Sequence, residues 1–144
     1  MAADELFEKG VSFLKENNPL GALAYFEKAY SIRKTPEVQS YLGFCIAIER
    51  GQITEATRLC KDAIEQEPAN PVHYLNLGRV YIKEKRKDEA IETLRRGLSF
   101  GDNTDIRLLL ESLGLRKKPV FPFLPRGNFL NKYIGLLLSR LKMR

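Results

Sequence analysis

The chain has 144 residues, of which 44% are hydrophobic and 29% charged, with a formal net charge of +6; that is enough apolar material for one ordinary domain and too much for a disordered chain. No run of about 18 apolar residues could span a bilayer, and the opening MAADELFEKG has neither the basic nor the apolar region of a secretory leader, so the expected location is cytoplasmic, with attachment at the membrane periphery as the alternative. The charge is divided unevenly: residues 115–144 hold eight basic residues and no acidic ones, leaving 16 basic against 18 acidic before them, a net of −2.

Taken in order, residues 3–16 read as a first helix that ends at Asn17-Asn18-Pro19, with Pro19 suited to the first turn of the next. That second helix runs to about Arg33. Thr35 and Pro36 then open a third, capped by the threonine hydroxyl and favoured by Glu37 at its positive end, which stops near Gly51. A fourth helix covers residues 54–67 before Pro68 and Asn70-Pro71 break it. Residues 71–100 form a helical hairpin with its turn in KEKRKD, read as a basic surface cluster. Asp102, Asn103 and Thr104 offer caps to a seventh helix over 105–113, stopped by Gly114.

Beyond Gly114, Pro119, Pro122 and Pro125 recur every third residue, so 115–127 reads as an extended basic linker. A last helix is expected over 128–142, with Leu130, Tyr133, Ile134, Leu137, Leu138 and Leu141 on one face and basic residues away from it. The seventh helix is apolar on more than one side, and no partner helix follows to complete its hairpin. Three readings of the tail therefore stand: it caps the seventh helix, it fills an inner groove in its own chain or a neighbour's, or it stays free to meet an anionic membrane or a partner.

The hairpins repeat. Ala22, Phe26 and Ala29 match Ala56, Cys60 and Ala63, and then Ala90, Leu94 and Gly97, at a spacing of 34 residues. On the first helix of each pair, Gly10, Gly43 and Gly78 mark the same position, where a small residue is expected to let the two helix backbones approach. Gly10 to Gly43 is one residue short of the period and Gly43 to Gly78 one residue long, which places a one-residue insertion in the turn at 49–54. At these positions the chain resembles the tetratricopeptide repeat family, whose pattern is a large residue, Leu-Gly, Tyr, then Ala, Phe, Ala and Pro. The third copy fits closely and the second well, while the first carries Lys9 where leucine is usual.

The resemblance implies an all-α, right-handed solenoid over residues 3–114, with repeats at 3–35, 36–70 and 71–104 and a capping half-repeat at 105–114, followed by the linker 115–127 and the tail 128–144. It also implies that the first helix of each hairpin lines a concave groove. Carried over by position, the lining is Phe7, Val11 and Leu14; Ser40, Phe44, Ala47 and Ile48; and Leu75, Arg79, Ile82 and Lys83, continued by Ile106, Leu109 and Leu113. Most of these are apolar. Family members that clamp a terminal carboxylate use Lys, Asn and Arg there, and only Arg79 and Lys83 could serve. The alternative is a shifted register, which would put these residues in the core.

No catalytic, cofactor-binding or metal-ligating constellation is visible. His73 is the only histidine, stands away from any cysteine pair, and is expected on a helix surface or partly buried. Cys45 and Cys60 sit on apolar helical faces and are expected to be free thiols; the glycines stand singly at packing positions, and Asp62, Glu65 and Glu67 on solvated faces. The sequence therefore points to a non-enzymatic interaction module that binds an apolar helical or extended segment. The alternatives are a peripheral membrane adaptor using the basic tail, self-association through that tail, or RKKPVFP serving as a proline-rich ligand. Nucleic acid is disfavoured, because aromatics are poorly interleaved with the basic residues.

Overall fold

The computed structural model describes residues 2–114, and all regular structure among them is helical: α1 Ala3–Lys15, α2 Pro19–Ile32, α3 Pro36–Arg50, α4 Ile53–Gln66, α5 Pro71–Lys83, α6 Lys87–Phe100 and α7 Thr104–Ser112. The expected linker 115–127, the helix at 128–142 and every docking role assigned to it lie outside the described residues. Two compact units are present, Met1–Asp102 and a second beginning at Asn103. The first is a right-handed solenoid of three antiparallel hairpins, α1–α2, α3–α4 and α5–α6, in which α3 packs on α2 and α5 packs on both α3 and α4.

The boundaries follow from local chemistry. Asn18 Oδ1 accepts from the Gly21 amide at 3.0 Å, Thr35 Oγ1 from Val38 at 3.2 Å and Asn70 Oδ1 from Val72 at 3.0 Å, each just before a proline at the helix start. Such caps satisfy amides that have no partner within the helix. In the second unit, Asn103 caps α7 by accepting from Ile106 at 2.9 Å; Ile106 and Leu110 are buried and Leu108 is exposed.

Each first helix begins seven residues before its glycine, at Ala3, Pro36 and Pro71, and each second helix is 14 residues long. The extra residue of the second repeat is accommodated differently from the sequence expectation. Helix α3 is 15 residues against 13 for α1 and α5, and the turn after it shrinks to Gly51 and Gln52. Gly51, at φ 64°, closes it in the left-handed conformation that glycine adopts without a Cβ clash. The equivalent three-residue turns put Asn17 (φ 59°) and Lys85 (φ 63°) in that conformation. Asparagine tolerates it; lysine pays a steric penalty.

The packing at the repeat glycines also differs from simple backbone approach. A Cβ on Gly10 would lie 2.5 Å from Phe26 Cε1, and one on Gly78 would lie 2.6 Å from Leu94 Cδ2. There the glycine makes room for a large side chain from the second helix. At Gly43 the opposing position holds the smaller Cys60, and a Cβ would meet the carbonyl oxygen of Ala56 at 2.9 Å. At this hairpin the nearest neighbour of the glycine is backbone, with Cys60 Sγ next at 3.1 Å. Around these sites Ala22, Leu23, Phe26, Leu42, Cys45, Ile46 and Leu59 form a buried cluster, and Leu6, Ala29 and Val38 a second. Rings of α1, α2 and α3 join them: Phe7 lies 5.8 Å from Phe26 and 5.5 Å from Tyr41, and Phe26 lies 5.4 Å from Tyr41.

Two predictions follow from this packing. Ala56 and Ala90 are fully buried, so Ala56→Leu or Ala90→Leu should destabilise the fold by about 1–3 kcal/mol, whereas single charge changes at Lys83, Lys85 or Lys87 should move it by less than about 0.5 kcal/mol; thermal denaturation compares them, and equal shifts would contradict the packing. Lys85→Gly should stabilise the fold by about 0.5–1 kcal/mol by removing the left-handed penalty, measured by chemical denaturation.

Candidate protein-binding surface

Relative to its repeat glycine, the lining assigned from sequence falls three residues before, one after and four or five after, so it forms one stripe along each first helix. Phe7, Val11 and Leu14 on α1 are half-buried and pack against the first core cluster, as does half-buried Phe44 on α3. Ile48 and Ile82 are half-buried too, Lys83 is exposed, and Leu75 is buried. Ser40 and Ala47 are buried as well. Leu109 is half-buried on α7 in the second unit.

The stripe has one ordered cation. Phe44 and Arg79 each follow their repeat glycine by one residue, and the Arg79 guanidinium stacks 4.8 Å from the Phe44 ring centroid, across the α3–α5 junction. Arg79 also donates from Nη1 to Asn76 Oδ1 at 3.1 Å. Planar stacking and a hydrogen bond together hold its long side chain in one orientation.

Beneath this pair runs a chain of polar groups that sequence reasoning missed. Asn76 Nδ2 donates to Ser40 Oγ at 3.1 Å, Ser40 Oγ lies 2.9 Å from His73 Nδ1, and His73 Nε2 lies 2.7 Å from Glu67 Oε1. The expected surface or partly buried position of His73 is corrected: the residue is 0% exposed, as are Ser40 and Asn76. At the position of its partner Ser40 the other repeats have the large apolar Phe7 and Leu75. The one cue in the sequence was polar Asn76 set between Leu75 and Leu77.

Hydrogen-bond complementarity gives the chain a direction. The Glu67 carboxylate only accepts, so His73 carries its proton on Nε2 and donates; Nδ1 then accepts from the Ser40 hydroxyl. Burial holds the imidazole below its ordinary value, opposed by the bond to Glu67. The Glu67 carboxyl is held below the usual range, first by the His73 hydrogen bond and also by Asn70, which donates at 3.2 Å. Glu67 is exposed, as expected from sequence, and its carboxylate also serves a buried partner. A serine, histidine and carboxylate in contact suggest nucleophile activation, but this hydroxyl is wholly enclosed and no substrate can reach it. The thiols are equally enclosed. Burial pushes Cys45 up to about 12 and Cys60 higher still, and both are free.

Two shallow cavities lie on the surface of the described residues, one of them lined in part by Phe7 of the stripe. One of about 170 Å³ is lined by Asp4, Phe7, Arg33, Glu37, Glu67 and Asn70 among others, with Arg33 paired to Asp4. The other, about 270 Å³, lies between α4, α5 and α6, with Leu77, Tyr81 and Thr93 in its lining and Lys61, Glu89, Glu92 and Arg96 around them. Among the described residues no cluster of His, Cys, Asp and Glu could hold a metal ion, and no helix is long and apolar enough to cross a membrane.

Comparison with known proteins rests on family and fold. Residues 47–113 match the model of the tetratricopeptide repeat. No curated protein sequence matches the chain. Among solved structures, the Sgt2 tetratricopeptide-repeat domain from Aspergillus fumigatus superposes with a TM-score of 0.61 at 19% identity, over 77% of this chain and 76% of that one. The first such domain of Spaghetti (RPAP3), bound to the HSP90 peptide SRMEEVD, gives 0.58 at 18% identity over 77% and 89%. The second domain of human RPAP3, in complex with the HSP70 peptide SGPTIEEVD, gives 0.57 at 15% over 77% and 93%. At such identities the likeness to these structures is one of fold. Together with the 34-residue period and the register of small residues, the family match identifies residues 47–113 as tetratricopeptide repeat.

Proposed function

We propose that the chain is a non-enzymatic protein-interaction module that binds an apolar segment, helical or extended, along the stripe formed by α1, α3 and α5. The observation that carries this reading is the row of half-buried apolar side chains, Phe7, Val11, Leu14, Phe44, Ile48 and Ile82, repeated at one register on successive first helices. Partial burial leaves each with surface still to be removed from water, and a row of this kind suits a ligand with apolar anchors at either helical or alternate spacing. That two structural neighbours are complexes with peptides supports a peptide or protein segment as the ligand.

The composition of the stripe argues against a ligand held mainly by its terminal carboxylate. Its cations are Arg79, engaged with Phe44 and Asn76, and exposed Lys83. Affinity here would come from apolar anchors, with Arg79 orienting one polar group of the ligand.

Selection from a library of helical and extended peptides, followed by methyl NMR, tests the proposal. Selected peptides should carry apolar residues at helical or alternate spacing and should shift the methyls of Val11, Leu14, Ile48 and Ile82. Ile48→Asp combined with Ile82→Asp should weaken binding by at least about tenfold, or about 1.4 kcal/mol, while helical circular dichroism is retained. Shifts confined to α2, α4 and α6, or binding untouched by the double substitution, would contradict it.

A further inference from the structure

The chain that begins at Arg79 and ends at Glu67 joins two hairpins through Asn76, Ser40 and His73, none of which is exposed. Ser40 belongs to α3, His73 and Asn76 to α5, and Glu67 to the turn between α4 and α5. The Cys60 thiol on α4 lies 3.6 Å from the Ser40 carbonyl oxygen, and Gln66 donates to Gln39 at 3.3 Å, so the same junction is tied from α4 to α3 as well. With His73 neutral and its proton on Nε2, each bond along the chain has one donor and one acceptor, and the Ser40 hydroxyl donates along the shorter of its two contacts.

Adding one proton breaks that match at a single point. A protonated Nδ1 must donate, so the Ser40 hydroxyl hydrogen, which points at Nδ1 in the neutral state, has to leave. The other acceptor in its reach is the Glu37 carbonyl oxygen, at 3.4 Å against 2.9 Å to His73. The replacement bond is long for a hydroxyl donor. Ser40 Oγ then receives both His73 and Asn76, while the ring, at 0% exposure, carries a charge whose one contacting counter-ion, Glu67, is itself 45% exposed.

We infer that the Ser40–His73–Glu67 chain is a proton-sensitive tie between the second and third hairpins: protonation of His73 reverses its bond with Ser40 and loosens the α3–α5 junction more than the first hairpin. The charged groups around the ring give the sign. Glu67, on the turn, favours the proton, but burial outweighs it, so the folded imidazole stays below its ordinary value of 6.5. Arg79 on α5 bears on the same chain through Asn76. Glu37 on α3 has its carboxyl raised by burial and by Glu67, Glu8 and Asp4, so its own contribution grows as pH falls and opposes the effect in the carboxylate range. Between the folded and unfolded values of His73 the unfolded chain binds more protons. Stability therefore falls as pH drops below 6.5 and the loss is complete below the folded value. Glu67, depressed from 4.5, adds a further loss only at lower pH.

The presence of a single histidine makes the test clean. Imidazole nitrogen NMR on the full chain should show the Nε2–H form at about pH 7.5 and a titration below the ordinary histidine value. Amide exchange, corrected for its intrinsic pH dependence, should show opening in α3 and α5 rising by about threefold or more between about pH 7.5 and about pH 5.5, with a smaller change in α1 and α2. His73→Gln keeps a donor toward Glu67 without a titratable ring and should flatten that rise. A ring that titrates at or above its ordinary value, an Nδ1–H form, an equal rise in all three hairpins, or an unchanged rise in His73→Gln would each overturn the inference. Should His73→Gln fail to fold, the nitrogen spectra and exchange profile of the unaltered chain still decide.

Discussion

The hairpins depend on one steric exchange: a hole at the glycine of the first helix, and whatever the second helix puts into it. Gly10 takes Phe26 and Gly78 takes Leu94, whereas Gly43, facing Cys60, takes the backbone of Ala56. The three hairpins are thus built from one register by two different routes. Large filler and open hole, or small filler and close backbones, bury the seam equally well, because interiors are packed to near crystal density and tolerate neither voids nor overlap. That the filled position is 0% exposed in all three repeats shows the exchange is complete.

With the seam closed by this exchange, the opposite stripe of each first helix is left over, and adjoining helices put it to different uses. On α1 it carries Phe7, Val11 and Leu14, half-buried against the first core cluster. Between α3 and α5 it has been recruited to hold repeats together: Ser40 is buried against His73, and Arg79 is stacked on Phe44. A groove proposed to bind a partner therefore shares residues with an inter-repeat junction, and Asn76 connects the two by bonding both Arg79 and Ser40. Occupancy of the surface and integrity of the junction draw on the same side chains.

Much of this was legible in the chain itself. The 34-residue spacing of Ala22, Ala56 and Ala90 identifies the repeats, and Asn18-Pro19, Thr35-Pro36 and Asn70-Pro71 mark helix starts because cap and proline act through local chemistry. What escaped depends on groups far apart in sequence. His73 looked ordinary because Glu67 and Ser40 are brought to it by the preceding turn and the neighbouring repeat, 6 and 33 residues away. The glycine register was visible too, but the means of filling each hole required the facing residues Phe26, Cys60 and Leu94 to be compared in place.

The steric exchange is tested most directly at Gly78 and Leu94 by a double-mutant cycle in chemical denaturation. Gly78→Ala alone should destabilise the fold by about 1–3 kcal/mol, although alanine is the better helix former by about 0.8–1 kcal/mol. In a Leu94→Ala background the added methyl enters space that the leucine has vacated, so Gly78→Ala should become neutral or stabilising, with a coupling of at least about 1 kcal/mol. Additivity of the two substitutions to within about 0.5 kcal/mol, or stabilisation by Gly78→Ala in the unaltered chain, would contradict the account.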